Sequence, residues 1–219
     1  MSVFYYDVEQ GSEEWRRLRA GVITASEFAT ARSRLKSGKE KGDFTAAARN
    51  LAFRLAIERI SGEPLDEGFE PWQARRGREL EEDARVQHAL TINRTVTPVG
   101  FVRTEDGKFG ASADGEIGED GGSEYKAFLA PEKLRSIIVD RDFSEVRDQV
   151  QGCLWLTGKT WWHACLYCPA LEPVGKDLII HEECRDDDYI TALERDLWEF
   201  EQLVSHYQAV LEERHEAAA

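Results

Sequence analysis

The chain has 219 residues, 42% of them hydrophobic, with Trp 6 and Phe 10, which is enough apolar surface for one substantial core and too much for a disordered chain. Its formal net charge of -14 excludes a protein that coats nucleic acid through a generally basic surface, but leaves room for a local basic groove. No stretch reaches the roughly 20 apolar residues of a membrane span, and the start "MSVFYYDVEQGSEEW" lacks the basic and apolar regions of a signal peptide, so a soluble cytoplasmic protein with no membrane contact is expected.

Period and punctuation divide the chain into a helical first third, a β-rich middle and a helical end, without internal repeats or a long linker. That order predicts a single α/β (α+β) domain over residues 1–219. A first helix is expected at "SEEWRRLRAG", with Ser12 as cap, Glu13 and Glu14 in the first turn and Gly21 at the end. Trp15 shares a face with Leu18 and is read as core. A second helix is expected over "TASEFATARSRL", where Thr24 and Glu27 have the spacing of a capping box. Residues 34–43 read as a mobile basic loop, followed by the apolar-periodic helix "AAARNLAFRLAIERISG", closed by Gly62.

After a loop containing Pro64 and Pro71 comes the helix "RRGRELEEDARVQHAL". Strands are expected at "TVTPVGFVR" and "FGASADGEI", then a turn "GEDGG" and a strand "SEYKAF". A helix over 142–157, strands over 160–168 and 177–183, and a long acidic helix over 186–216 complete the order. Along that last helix Ile190, Leu193, Leu197, Phe200, Leu203 and Val204 form a stripe that packs on the body. Cys165 and Cys168 have CxxC spacing, but on a strand they project to opposite faces, so buried thiols are expected for Cys153, Cys165, Cys168 and Cys184 rather than a metal or iron-sulfur site. The tryptophans of "CLWLTGKTWWHACLYC" read as packing and His163 as structural.

The chemistry concentrates around "SADGEIGEDGGSEYKAF". Two strands joined by a glycine turn would bring Asp114 and Glu124 together, and Glu124 and Lys126, two apart, share a face. Two carboxylates suit a hard cation such as magnesium, and the lysine could position or deprotonate water and offset phosphate charge. Taken alone, the pattern is more often a solvated charged hairpin. Its setting shifts that balance, because "GRELEEDAR" puts Glu81 on a preceding helix and "DQVQ" puts Gln149 and Gln151 on a following one.

From "QGSEEWRRLRAGVITASEF" through "GRELEEDAR", "SADG" and "EYK" to "DQVQGCLWLT", the sequence resembles the phage lambda exonuclease family of the PD-(D/E)xK nuclease superfamily, in order, over roughly residues 8 to 168. The resemblance implies a restriction-endonuclease-like core with a central mixed sheet flanked by helices. It implies a 5′ to 3′ exonuclease that digests one strand of linear double-stranded DNA with magnesium, for which manganese can substitute. It further implies a toroidal homotrimer, a single-strand annealing protein as partner, and a phage or prophage origin in a bacterial cytoplasm. Carried over, Asp114, Glu124, Glu81 and the Tyr125 carbonyl are metal ligands, Lys126 is the catalytic lysine, and either Gln149 or Gln151 faces the site. The family's frequent proline before the aspartate is Ala113 here, a change in rigidity rather than chemistry.

The same resemblance assigns a 5′-phosphate pocket to "RAGVITASE". A helix start at Thr24 would offer N–H groups to an anion, Arg19 a bidentate fork and Ser26 a hydroxyl, with Ser112 linking the pocket to Asp114. The bland alternative is a surface ion pair and a helix cap. The clusters at 32–41 and 75–78, including Arg32 and Arg76, are candidates for following the DNA backbone, with a solvated loop as the alternative. A basic lumen inside an acidic exterior would reconcile the net charge with DNA binding. The rival functions are a restriction-like endonuclease and a non-catalytic DNA-end-binding scaffold.

Overall fold

The computed structural model describes residues 2–65, 72–127 and 130–213, apart from the side chains of 72–79. The chain begins with strand β1 (Val3–Tyr6), an addition to the elements expected from sequence. Helix α1 (Glu13–Arg19) follows, its first turn closed by Trp15 N–H donating to the Ser12 hydroxyl at 3.1 Å. Gly21 then turns the chain at φ +71°, where a Cβ would lie 2.5 Å from Arg59 Cγ, so this corner requires glycine.

The helix expected over 24–35 does not form. Ile23–Thr24 is strand β2, Ala25–Glu27 is a 3-10 turn, and α2 (Phe28–Ala31) is a single turn. Thr24 makes no cap, and its hydroxyl donates to Glu27 Oε2 at 3.0 Å instead. Tertiary contacts outweigh the local signal: Ile23 and Thr24 pair in parallel with Phe109 and Gly110, and Phe28 is wholly buried. Phe28 presses so closely on Gly152 that a Cβ there would meet its ring at 2.5 Å. The basic loop is closed by an Arg34–Phe44 bridge and leads to α3 (Ala46–Ser61), capped by Thr45 and ended by Gly62 at φ +72°. Helix α4 (Trp72–Ile92) starts three residues before and ends two residues after the stretch expected from sequence.

The strands form two four-stranded mixed sheets rather than one. The first has the order β1-β3-β4-β2, with β3 (Phe101–Thr104) and β4 (Phe109–Ala111) antiparallel. The second has the order β5-β6-β7-β8, from β5 (Gly115–Ile117), β6 (Gly121–Lys126), β7 (Trp161–Tyr167) and β8 (Leu178–Cys184). The stretch expected as one strand over 109–117 is therefore split, and residues 112–114 carry the chain from one sheet to the other. Similarly, only the end of "TVTPVGFVR" is strand, with Thr97 making a lone bridge to Glu116. Within the second sheet β6 and β7 are parallel and both outer pairs antiparallel.

Helix α5 (Pro131–Ile138), absent from the sequence reading, starts on a proline. Helix α6 (Ser144–Thr157) buries Val146, Val150, Leu154 and Trp155 in the main core with Trp162 of β7. Helix α7 (Asp187–Glu212) contributes Ile190, Leu193, Leu197, Phe200 and Val204 to the same core, as its stripe predicts. Cys153, Cys165 and Cys168 are buried free thiols and Cys184 is exposed. No helix among the described residues is long and apolar enough to cross a membrane.

Arg32 corrects an expectation. Its guanidinium donates to Asp148 Oδ1 at 2.7 Å and Asp196 Oδ2 at 2.6 Å, clasping α2 to α6 and α7, so its donors are committed inside the protein rather than to a DNA backbone. Against the cost of burial, hydrogen bonds from Arg32 and Arg195 hold the Asp196 carboxyl below its ordinary 3.8. A lowered folded-state pKa means that this stability is present above the ordinary value and is lost as pH falls through the folded one. Arg32→Ala should cost about 2 kcal/mol in urea unfolding at neutral pH, because Asp148 keeps only the Tyr189 hydroxyl and Asp196 only Arg195, and less at acidic pH.

Candidate active site

The crossing between the sheets creates the site. Ser112 and Asp114 lie two residues apart where the chain leaves β4 for β5. Gln10 fixes this passage, its amide donating to the carbonyls of both Val99 and Ala113 at 2.7 Å. Sequence reading did not single out Gln10, whose partners lie some ninety and a hundred residues away.

Asp114 Oδ2 accepts the backbone N–H of Tyr125 at 2.7 Å, which ties the crossing to the C-terminal end of β6. On either side of Tyr125, Glu124 and Lys126 share one face of the strand, and Lys126 Nζ donates to Glu124 Oε1 at 2.8 Å. Gln149 of α6 donates to the same oxygen. Gln151 points elsewhere, donating to Glu183 Oε1 and the Cys184 carbonyl. Glu81, Gln10, Arg85 and Asp114 are among the residues lining a cleft of about 660 Å³.

The electrostatics of this group favour a cation. Burial raises the Asp114 pKa well above its ordinary value, and the charges of Glu124 and Glu81 add to it. Lys126 is shifted the other way: burial opposes its charge, but Glu124 and Asp114 outweigh burial and raise its pKa. Glu124 Oε2 is buried and accepts no hydrogen bond among the described residues. Among those residues no three His, Cys, Asp or Glu side chains form a ready cage. A hard cation that takes one or two carboxylates, with backbone and water oxygens completing its shell, fits this donor set. The Tyr125 carbonyl lies on the strand between Glu124 and Lys126, where it would be available to such a shell.

On the other side of the crossing, the Ser112 hydroxyl accepts from Trp15 Nε1 at 2.8 Å and from Arg19 Nη1 at 3.4 Å. Arg19 also donates to Thr24 Oγ1 at 3.3 Å, and Thr24 Oγ1 lies 3.2 Å from Ser26 Oγ. The structure thus brings Arg19, Thr24, Ser26 and Ser112 together. It adds Trp15, whose ring lies 4.2 Å under the Arg19 guanidinium, correcting its reading as simple core. Arg54, Glu27 and Glu58 line the same small hollow. Arg54 is paired with Glu27 and Glu58, and Arg59 with Glu201, whereas Arg19 makes no ion pair among the described residues. Burial draws its pKa downward, with Glu27 opposing and Arg54 assisting. Its remaining donors suit an anion. The short 3-10 turn replaces the expected helix start, so side chains rather than helix N–H groups carry the pocket's chemistry. The Arg76 side chain lies outside the described residues.

Comparison with known proteins identifies the family and the fold. No curated protein matches the chain. The alkaline exonuclease LHK-Exo from Laribacter hongkongensis is 26% identical, with 91% of this chain and 96% of that one covered and a TM-score of 0.76. The TM-score is 0.79 for LHK-Exo in complex with dAMP. A phage related exonuclease from Haemophilus somnus 129PT shares the fold at 16% identity, with 87% and 94% of the chains covered and a TM-score of 0.65. The YqaJ-like viral recombinase domain matches residues 14–160, a span that takes in Arg19, Ser112, Asp114, Glu124, Lys126 and Gln149. With more than half its length matched, the chain belongs to the YqaJ-like viral recombinase family.

Proposed function

We propose that the protein is a magnesium-dependent 5′ to 3′ exonuclease that digests one strand of linear double-stranded DNA from 5′-phosphorylated ends, leaving 3′ overhangs for strand-annealing recombination. The observation that carries this reading is the two-residue step from Ser112, in the Arg19 pocket, to Asp114, in the carboxylate cluster. An anion pocket beside a hydrolytic cluster defines the distance from a DNA end at which a bond is cut. A restriction-like site that cuts internally has no need of it.

Arg19 would grip the terminal phosphate with its free donors, while Ser26, Thr24 and Ser112 supply hydroxyls. Asp114, Glu124 and the Tyr125 carbonyl, with Glu81 alongside, would hold magnesium, or manganese in its place, which when bound supplies a more acidic water and charge stabilisation at the phosphoryl oxygens. The raised pKa of Lys126 keeps it an ammonium, suited to orienting water and offsetting developing charge rather than to accepting a proton. Gln149 holds Glu124 in place through its amide. Hydrolysis joins a water oxygen to phosphorus and breaks the bond to the 3′ oxygen of the terminal nucleotide, releasing a 5′-mononucleotide. In line with its family, the working assembly would be a homotrimer around the duplex, paired with an annealing protein in a phage-infected or lysogenic bacterium.

The test of this reading is digestion of duplexes that differ only in a 5′-phosphate or 5′-hydroxyl. Wild type should prefer the phosphate, and Arg19→Ala should lose roughly 10- to 100-fold on phosphorylated ends with little change on hydroxyl ends. Equal losses on both would remove Arg19 from end recognition.

A further inference from the structure

Behind the catalytic strand lies a file of buried polar side chains. Ser123 and Tyr125 project to the face of β6 opposite Glu124 and Lys126. The Tyr125 hydroxyl accepts from Ser123 Oγ at 3.2 Å and lies 2.9 Å from His88 Nδ1. His88 Nε2 lies 2.9 Å from His163 Nδ1, and His163 Nε2 lies 3.4 Å from Glu182 Oε2. Ser123 and His88 are wholly buried, and Tyr125 is 2% exposed. Burial lowers the His88 pKa to about 4 and also lowers that of His163. Each neutral imidazole has one donor and one acceptor nitrogen. One proton arrangement satisfies every member: Ser123 donates to Tyr125, Tyr125 to His88, His88 to His163, and His163 to Glu182.

This file joins the two elements that carry Glu81 and Glu124, α4 and β6, to the neighbouring strand β7. Helix α4 carries both His88 and Glu81, seven residues or about two turns apart and hence on one face. Strand β6 carries Tyr125, whose backbone N–H holds Asp114 and whose neighbours are Glu124 and Lys126. Strand β7 carries His163 and lies parallel to β6, with Ser123 opposite His163. A packing role alone would be served as well by apolar side chains, while a fully satisfied polar file fixes one relative placement of the elements.

We propose that Tyr125, His88 and His163 are positioning residues, whose hydrogen-bonded file sets the roll of α4 on β6 and so holds Glu81 against Asp114 and Glu124. The proposal rests on reading that carboxylate cluster as the hydrolytic centre. None of the three touches the reacting atoms through its side chain; they act through Glu81 and through the Tyr125 backbone.

Tyr125→Phe, His88→Leu and His88→Gln test it, the last keeping a side chain that can both donate and accept. Three readouts are needed: thermal unfolding, kcat and KM on linear duplex, and Mn²⁺ affinity from the free-ion electron paramagnetic resonance signal. Tyr125→Phe and His88→Leu should lower kcat roughly 10- to 100-fold and weaken Mn²⁺ binding, with KM for DNA within about twofold, and His88→Gln should recover part of both. Folded Tyr125→Phe with kcat and Mn²⁺ affinity within about twofold of wild type would overturn the proposal, as would His88→Gln no better than a folded His88→Leu. If His88→Leu does not fold, Tyr125→Phe decides. Wild type that binds Mn²⁺ but digests no DNA would instead strike the hydrolytic reading, and the Mn²⁺ arm would still decide the positioning role.

Discussion

Lys126→Ala should lower the rate of duplex digestion about 10³-fold, within the range for removing a group that stabilises the transition state, and leave DNA binding nearly unchanged. Lys126 is the ammonium that donates to Glu124, and the structure surrounds it with carboxylates rather than with a surface where phosphates would be gripped. Its loss would remove charge compensation where bonds change and leave the Arg19 pocket intact. Single-turnover digestion with fluorescence anisotropy on the same duplex separates the two effects. A variant within about tenfold of wild-type rate would take Lys126 out of the chemistry, and a parallel collapse of binding would make it a DNA contact instead.

Asp114→Asn should have opposite effects on activity and stability. Asp114 is held against Glu124 and Glu81 in a setting that raises its pKa, so its charge works against the fold in the absence of a divalent ion. The sign follows from linkage: a carboxylate whose folded pKa is raised above the ordinary 3.8 weakens the fold as pH rises above that value and has no effect below it. Asparagine keeps an oxygen to accept the Tyr125 N–H and removes the charge. Urea unfolding in the presence of EDTA at pH 8 should therefore show the variant about 1–2 kcal/mol more stable than wild type, with the gain vanishing at strongly acidic pH. Digestion should be lost, along with the stabilisation that added magnesium gives the wild type. An Asp114→Asn protein less stable in EDTA would mean that Asp114 is a structural acceptor first.

The sequence pattern reaches the heart of the site because its logic is local. Glu124 and Lys126 are two apart on a strand, and glycines between Asp114 and Glu124 allow the close turn; β5 and β6 realise both. Long-range geometry is where it stops. Two glutamines two apart on a helix point about 200° away from each other, and only the packing of Val146 and Val150 in the core decides that Gln149 faces Glu124. Trp15 and Leu18 have core-like spacing, yet the Trp15 indole reaches Ser112 far along the chain. Arg32 looks like a DNA contact until Asp148 and Asp196 arrive from α6 and α7. The two-residue β2 and the four-residue β1 are too short to show a period, and the split of 109–117 between two sheets leaves no mark in "FGASADGEI". His88 and His163 meet across 75 residues, so neither one announces the other.

The proposed exonuclease cuts from a DNA end and not within a strand. One linear duplex labelled at either its 5′ or its 3′ termini, and the same sequence as a closed circle, should be incubated with magnesium and sampled over time. An exonuclease of this polarity should release 5′-labelled mononucleotides early and the 3′ label late, and leave the circle untouched. Nicking or linearisation of the circle at a rate comparable to loss of the linear duplex would contradict that reading and make this cluster an endonuclease site.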